Sequence, residues 1–167
     1  MGDALERRGF SYTVIELNPA IVRRLRASGI NAYYGDAGSD AVLLHAGITH
    51  ARALVVTTPD LVSSPAAIRH ARRLNPAISI ITRAMAAGDM HVLRTAGADE
   101  IIQPEFEAGL ECVRYVLREF GVSIMETTTI INRRRAIHYE RHSQAPLGET
   151  LEPRFDDPSL PVDYDRP

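Results

Sequence analysis

The sequence of 167 residues contains no lysine, no tryptophan and only one cysteine. The absence of lysine excludes Schiff-base chemistry and a Walker-type phosphate loop, both of which need that side chain. A single cysteine excludes a disulfide framework within the chain, and this favours a reducing compartment such as the cytosol. Cys112 falls within a helical pattern, so we expect it to be a small buried hydrophobic residue.

Long apolar runs are also missing. No run approaches the roughly 20 residues that span a bilayer, and the first residues do not have the pattern of a signal peptide. The formal net charge of −2 gives no indication of a nucleic-acid partner. We therefore expect a soluble, cytoplasmic chain that could still be part of a membrane-bound assembly.

Glycines mark the ends of several helical patterns. Gly9, Gly29, Gly47 and Gly97 each end a helical pattern that precedes an apolar run, as expected for helix caps in the left-handed conformation. Asn75 precedes Pro76 at a fifth such position, and asparagine tolerates the same conformation. This recurrence predicts five helix-to-strand connections.

Short apolar runs alternate with helical patterns. The predicted strands cover residues 12–17, 32–34, 53–57, 78–82 and 101–103, and the predicted helices cover 20–28, 40–46, 65–74 and a segment ending near 96. The runs LVV and ISII are continuous, which is typical of strands buried on both faces. Ser64 before Pro65 is the predicted N-cap of its helix. The pattern predicts an α/β fold with a doubly wound, Rossmann-like parallel sheet.

A different pattern begins at Phe106. A longer amphipathic helix is predicted from Phe106 to Gly121, with an apolar stripe made of Leu110, Val113, Val116 (or Leu117) and Phe120. A second helix follows to residue 142. The pair is either a helical arm that mediates dimerisation or two further layer helices on the sheet. Residues 143–167 hold five prolines and six acidic residues, a composition typical of a disordered tail. The predicted units are thus 1–121, 122–142 and 143–167.

Polar residues follow the predicted strands. The carboxyl ends of parallel strands share one edge of a sheet, which is where ligands bind in such folds. The residues predicted at this edge are Glu16, Asp36, Thr57, Thr58, Arg83 and Glu105. Glu16 stands where a ribose-binding carboxylate is expected, and Gly35 before Asp36 would let the backbone approach a ligand closely. Arg83 could bind a phosphate through two hydrogen bonds.

Each of these residues also has a structural interpretation. Asp36 or Ser39 could cap the short helix that follows, the two threonines could shape a turn, and Arg83 could pair with Glu105. His138 and His142 share a helical face without an evident third ligand, so no metal site is predicted. Arg133–135 is expected to be a solvated helix face. No catalytic constellation is evident, and we predict a non-catalytic protein.

Several segments together resemble a known family. These segments are VIELNP, YYGDAGSDAVLLHAGITHARALVVTTPD, RRLNPAISIITRA and LRTAGADEIIQPEFEAGL. They are similar, over residues 5–121, to the RCK N-terminal domain, which is also called KTN or TrkA-N. Members of this family are cytosolic regulatory domains of potassium channels, potassium uptake systems and Kef-type potassium:proton antiporters.

The resemblance implies a Rossmann-like domain that binds NAD(H) or an adenine nucleotide (ATP, ADP or AMP). By position, Glu16 would bind the ribose, Asp36 and Ala37 would lie by the adenosine, and Thr57 and Thr58 would line the cleft. Arg83 would lie near the phosphates. The resemblance also implies a homodimer through the helix from Phe106 to Gly121, and a membrane transport module, in the same or a partner chain, at the cytoplasmic face of the membrane. It implies no nucleic-acid partner.

Two features depart from the family. The first strand and its glycine-rich GxGxxG turn do not occur in the sequence, so we expect a sheet without its central strand and weakened phosphate binding. We interpret the chain as a fragment of a longer protein. Only 46 residues follow Gly121, too few for a C-terminal RCK domain, and this favours a Kef-type antiporter. The alternatives are half of an NAD-dependent oxidoreductase, or a dimerising scaffold that no longer binds nucleotide.

Overall fold

The structure is a computed structural model that describes residues 1–58 and 60–144. The strands are β1 (Thr13–Glu16), β2 (Asn31–Tyr34), β3 (Ala53–Val56), β4 (Ser79–Arg83) and β5 (Glu100–Ile102). The helices are α1 (Gly2–Glu6), α2 (Pro19–Ala27), α3 (Asp40–His45), α4 (Ser63–Leu74), α5 (Met90–Ala96), α6 (Pro104–Glu119) and α7 (Ile124–Gln144). The predicted alternation of strands and helices is confirmed. The predicted tail lies outside the described residues from position 145 onward.

The strands form two parallel sheets. One contains β1 and β2, with Glu16 opposite Tyr34, and the other has the order β3-β4-β5, with Val56 opposite Thr82. Within the described residues, β1 and β3 are both edge strands, and they do not pair with each other. Ile15 nevertheless packs against the same apolar cluster as Val56, so both sheets share one core. The predicted doubly wound α/β fold is confirmed, with its strands divided between these two sheets.

The core lies on the face of the larger sheet that α4 and α5 cover. Its fully buried members include Leu43, Ile68, Ile80, Met90 and Leu93. The prediction that β3 is buried on both faces is wrong. Val56 is buried, whereas Ala53 is exposed and Val55 retains 36% of its accessible surface. A continuous apolar run therefore does not show which faces of a strand are covered.

The C-terminal ends of the helices follow the predicted chemistry with one exception. Glycines 9, 29, 47 and 97 all have positive φ, between 72° and 111°, as the helix-ending pattern predicted. Asn75 does not adopt this conformation, since its φ is −141°. Pro76 disfavours helical geometry at the preceding residue, and the Asn75 amide Nδ2 donates 2.9 Å hydrogen bonds to the Ile48 and Ala51 carbonyls. Asn75 therefore joins α4 to the turn before β3.

Helix α4 begins at Ser63, two residues earlier than predicted. Ser64 is not its N-cap, because it lies inside the helix, is buried, and donates its hydroxyl to the Thr58 carbonyl at 2.8 Å. The capping group is the Asp60 carboxylate, which accepts from the amides of Val62 (3.0 Å) and Ser63 (2.6 Å). Hydrogen bonds from Ser63 lower the pKa of Asp60.

The last two helices, α6 and α7, form a hairpin. Helix α7 packs on both α5 and α6. The predicted apolar stripe of α6 is buried only at Leu110, while Val113, Val116 and Phe120 are 41%, 53% and 81% exposed. Cys112 is also exposed, so the prediction of a buried thiol is wrong. None of the helices described between residues 1 and 144 combines the length and apolar character needed to cross a bilayer.

Candidate functional site

Glu16 is the last residue of β1, and its carboxylate is oriented by the start of α2. Its Oε1 accepts a 2.8 Å hydrogen bond from the Asn18 amide. Asn18 in turn caps α2, because its Oδ1 accepts from the Ala20 amide at 2.9 Å. This arrangement engages one oxygen of Glu16 and leaves the other free to accept a hydrogen bond from a ligand.

Asp36 follows β2 and shapes the turn that leads to α3. Its Oδ1 accepts from the Gly38 amide at 2.8 Å, and its carbonyl accepts from the Ser39 amide at 3.0 Å. Ser39 occupies the N-cap position of α3 without a side-chain capping bond, so neither residue caps the helix. Ala37 lies within the same turn. The Gly35 amide donates to the Glu16 carbonyl at 3.1 Å, which holds the two acidic residues at neighbouring strand ends.

Thr57, Thr58 and Arg83 lie at the corresponding edge of the second sheet. The pairing of Val56 with Thr82 brings Thr57 beside Arg83 at the ends of β3 and β4. The Thr58 hydroxyl lies 3.0 Å from the hydroxyl of Ser64, and both Thr57 and Thr58 are exposed. Arg83 Nη2 is 3.9 Å from Glu105 Oε1, so the alternative pairing with Glu105 is present as a long ion pair. Arg83 Nε has no hydrogen-bond partner among the described residues.

The predicted site residues thus form two groups of opposite hydrogen-bonding character. The β1–β2 group offers carboxylate acceptors, which suit the hydroxyls of a ribose. The β3–β4 group offers hydroxyl and guanidinium donors, which suit phosphate oxygens. Across the described part of the chain, no hydrogen bond links one group to the other. Their common feature is their position at the carboxyl ends of parallel strands.

The start of α4 is not available to a phosphate. Helix N-termini attract anions because their amides lack partners within the helix. Here the Asp60 carboxylate already occupies the first amides of α4, and its negative charge would repel a second anion. Pattern analysis missed both Asp60 and Asn18 as positioning residues. The signal for Asn18 was present, since asparagine directly before proline is a common helix start.

No metal centre is formed by the described residues. They contain no group of three histidine, cysteine or acidic side chains that could hold an ion. The rings of His138 and His142 lie 4.7 Å apart, and His138 stacks on Phe106. Two surface cavities are present among the described residues, one in the α6–α7 groove, where Glu105 lines it, and one between β5 and α7.

Comparison with known proteins identifies the family. Residues 1–104 match the model of the TrkA-N domain. Over 136 residues the chain is 29% identical to the putative K(+) efflux antiporter KefB of Alkalimonas amylolytica. This match covers 81% of this chain and 21% of that protein. The TrkA-N domain of the inner membrane protein ybaL from Escherichia coli has a similar structure, with 26% identity, a TM-score of 0.65, and coverage of 68% of this chain and 84% of that one.

The Kef CTD of Shewanella denitrificans in its AMP-bound form is also similar. Its TM-score is 0.72 over 85% of this chain and 86% of that chain, and its 17% identity supports a shared fold alone. The chain spans about a fifth of the length of the KefB antiporter that it matches. Because the family model covers well over half of the sequence, the chain belongs to the TrkA-N domain family.

Proposed function

We propose that this TrkA-N chain is a non-catalytic, nucleotide-sensing regulatory domain that controls the transport of potassium or another monovalent cation. The similarity to a K(+) efflux antiporter supports a cation:proton antiporter or channel as the transport module. The domain would act at the cytoplasmic face of the membrane, with the transport module in the same chain or in a partner chain. Residues 1–121 would form the sensing unit, and residues 122–142 would continue it as a helix.

The proposal is carried by the placement of Glu16 at the end of β1. Its carboxylate is held by the Asn18 amide, so it does not have to be ordered when a ligand binds. A hydrogen bond to a charged group contributes about 1.5–3 kcal/mol. Glu16 would accept from the ribose hydroxyls, and its charge would disfavour a 2′-phosphate. Asp36 and Ala37 would contact the adenosine from the neighbouring turn.

The phosphate end of the ligand would be held by Thr57, Thr58 and Arg83. Arg83 would exchange its long contact with Glu105 for phosphate oxygens, which accept two parallel hydrogen bonds from a guanidinium. The start of α4 offers little to a phosphate, because the helix is capped by its own Asp60. We therefore expect the adenosine end to contribute most of the affinity. AMP, ADP, ATP and NADH would all share this end.

Isothermal titration calorimetry with these four ligands tests the proposal. We expect at least one of them to bind saturably, and we expect Glu16→Gln to weaken its binding about tenfold or more, since the neutral amide is a poorer partner for the ribose hydroxyls. Glu119→Gln is the matched control, because Glu119 is exposed near the end of α6 and its loss should leave affinity unchanged.

Two results would contradict this proposal. Saturable binding with the same affinity in Glu16→Gln would show that the Glu16 carboxylate does not bind the ribose. The absence of saturable binding by all four ligands would favour the dimerising scaffold. Hydride transfer from NADH to a small carbonyl compound would instead favour an oxidoreductase.

We also propose a homodimer through α6. Its exposed apolar stripe (Val113, Val116 and Phe120) continues into Ile124 and Met125, which are 84% and 81% exposed at the start of α7. Exposed apolar surface of this extent on adjacent turns is typical of protein–protein contacts. A second copy of the chain would cover the stripe and place two sensing units in one regulatory assembly.

A further inference from the structure

The two halves of α7 are attached to the rest of the chain in different ways. The first half is anchored by burial, since Thr127 and Ile131 retain only 3% and 1% of their accessible surface. The second half is held by polar and aromatic side chains that reach across to α6. These are Arg135, His138 and Tyr139. The second half therefore depends on the charge state of its contacts, whereas the first half does not.

Glu107 of α6 is the centre of the polar contacts. The Arg135 guanidinium donates to both of its carboxylate oxygens at 2.8–3.1 Å, and the Tyr139 hydroxyl donates to it at 3.0 Å. Tyr139 also accepts from the Gln103 amide at 3.1 Å, which joins α7 to the start of α6. These bonds, chiefly from Arg135, lower the pKa of Glu107. Arg135 is thus paired with an acid, which corrects the prediction that Arg133–135 is a solvated face.

His138 contributes the aromatic contact. Its ring stacks on Phe106 with centroids 3.6 Å apart and planes 10° apart, and its Nε2 lies 2.8 Å from Gln103 Oε1. Burial, with smaller contributions from the neighbouring His142 and Arg134, lowers the pKa of His138 to about 4. Glu107 acts in the opposite direction, but its charge is already engaged by Arg135.

The charged and titratable groups around this ring belong to four elements. They are Glu107 on α6, Arg134, Arg135, Arg141 and His142 on α7, Arg94 on α5, and Glu100 on β5. Arg94 donates to the carbonyls of Ala98 and Asp99, so it is directed toward the end of its own helix. Protonation of His138 would therefore place a positive charge beside Arg134 and His142, while the carboxylate that acts on it, Glu107, is already engaged by Arg135.

We propose that residues 133–144 of α7 are an acid-sensitive latch: protonation of His138 and His142 releases them from α6 while residues 124–132 stay docked. The docked state binds fewer protons than the released state, in which both imidazoles are solvated. Lowering the pH from about 6.5 towards 4 therefore favours release, and raising it restores docking. The latch does not depend on nucleotide binding.

Amide hydrogen exchange of the whole chain tests the latch. Protection factors, which correct for the intrinsic pH dependence of exchange, are measured at about pH 7.5 and about pH 4.5. We expect the amides of residues 135–144 to lose about tenfold or more of their protection at the lower pH. The amides of α4 and β4, measured in the same sample, should keep theirs.

Two variants assign the effect. His138→Phe keeps an aromatic ring on Phe106 but cannot take up a proton, so the loss of protection should shrink to below about threefold. His50→Gln removes an exposed histidine far from α7 and should behave like the unmodified chain. NMR titration of the unmodified chain gives the pKa of His138 directly, even if the phenylalanine variant does not fold.

Four outcomes would overturn the latch. These are protection of residues 135–144 that does not change with pH, a parallel loss in α4 and β4, an unchanged loss in His138→Phe, and a His138 pKa at or above its ordinary value of about 6.5. A parallel loss would mean that acid unfolds the whole domain. A selective loss that His138→Phe abolishes supports the latch.

Discussion

Single polar side chains join several segments of this domain. Arg72 on α4 is one of them and bonds to four other residues. Its guanidinium donates, at 2.6–2.9 Å, to the carbonyls of Pro76, Ile78 and Gly97 and to the carboxylate of Asp99. Asp99 also accepts from the Ile80 amide at 2.7 Å, and this bond is the main cause of its lowered pKa. Arg72 therefore connects the end of α4, the start of β4 and the connection between α5 and β5.

Removing this guanidinium should destabilise the fold. We expect Arg72→Ala to lower the free energy of unfolding by about 2–3 kcal/mol, because three carbonyls and a carboxylate lose their donor. Arg69→Ala is the matched control, since Arg69 is exposed on the same helix and its removal should change stability by less than about 0.5 kcal/mol. Urea denaturation measures both. Equal stability of the two variants would contradict the role of Arg72.

The positions of the individual site residues were partly predictable from the sequence. Glu16 and Asp36 do follow neighbouring parallel strands, because strand ends can be read from short apolar runs. The supporting residues were harder to predict. Ser64 and Asn75 were assigned by local rules for helix ends, but their side chains bond to backbone groups outside the helix. A local rule does not include such a competing partner.

At the level of helices and strands, Gly35 allows α3 to pack close to the end of β2. A Cβ atom at this position would lie 2.7 Å from Val42 Cγ2 and 3.0 Å from Val42 Cγ1. Gly35 was predicted to let the backbone approach a ligand, and in the structure the absence of a side chain at this position also lets α3 lie close to the end of β2. The glycine thereby sets the position of the turn that contains Asp36.

A double-mutant cycle tests this contact. Gly35→Ala should cost about 1–3 kcal/mol of stability, because the new methyl group pushes α3 away from β2. Val42→Ala removes the atoms that clash, so adding it to Gly35→Ala should cost less than the sum of the single changes. Thermal unfolding of the four proteins gives the coupling free energy. Strict additivity would show that Gly35 does not contact Val42 as described.

The whole molecule leaves a large apolar surface uncovered along α6. The sequence left open whether this helix belongs to a dimerising arm or is a further layer on the sheet, and in the structure Val116 and Phe120 are more than half exposed. The stripe has the spacing of a buried helix face, and α7 covers only the part near Leu110 and Ile131. A second copy of the chain is the partner that we propose for it.

Light scattering of the unmodified chain should therefore give about twice the monomer mass of 18.4 kDa. We expect Phe120→Asp to shift the chain to monomer, because a carboxylate would be buried without a partner in the interface. Phe10→Asp is the matched control, since Phe10 is the same type of side chain, is 56% exposed and lies outside α6 and α7. A monomer mass for the unmodified chain at high protein concentration would contradict the homodimer.

The sequence by itself determined the order of strands and helices, the glycine-ended helices and the acidic residues at the ends of β1 and β2. These features depend on contacts between residues a few positions apart, and local periodicity records such contacts. Only the tertiary structure decided which faces are covered: Cys112 and Val55 are exposed, and Arg135 pairs with Glu107, 28 positions away. Burial and long-range pairing depend on which elements pack together, and a one-dimensional pattern does not contain that information.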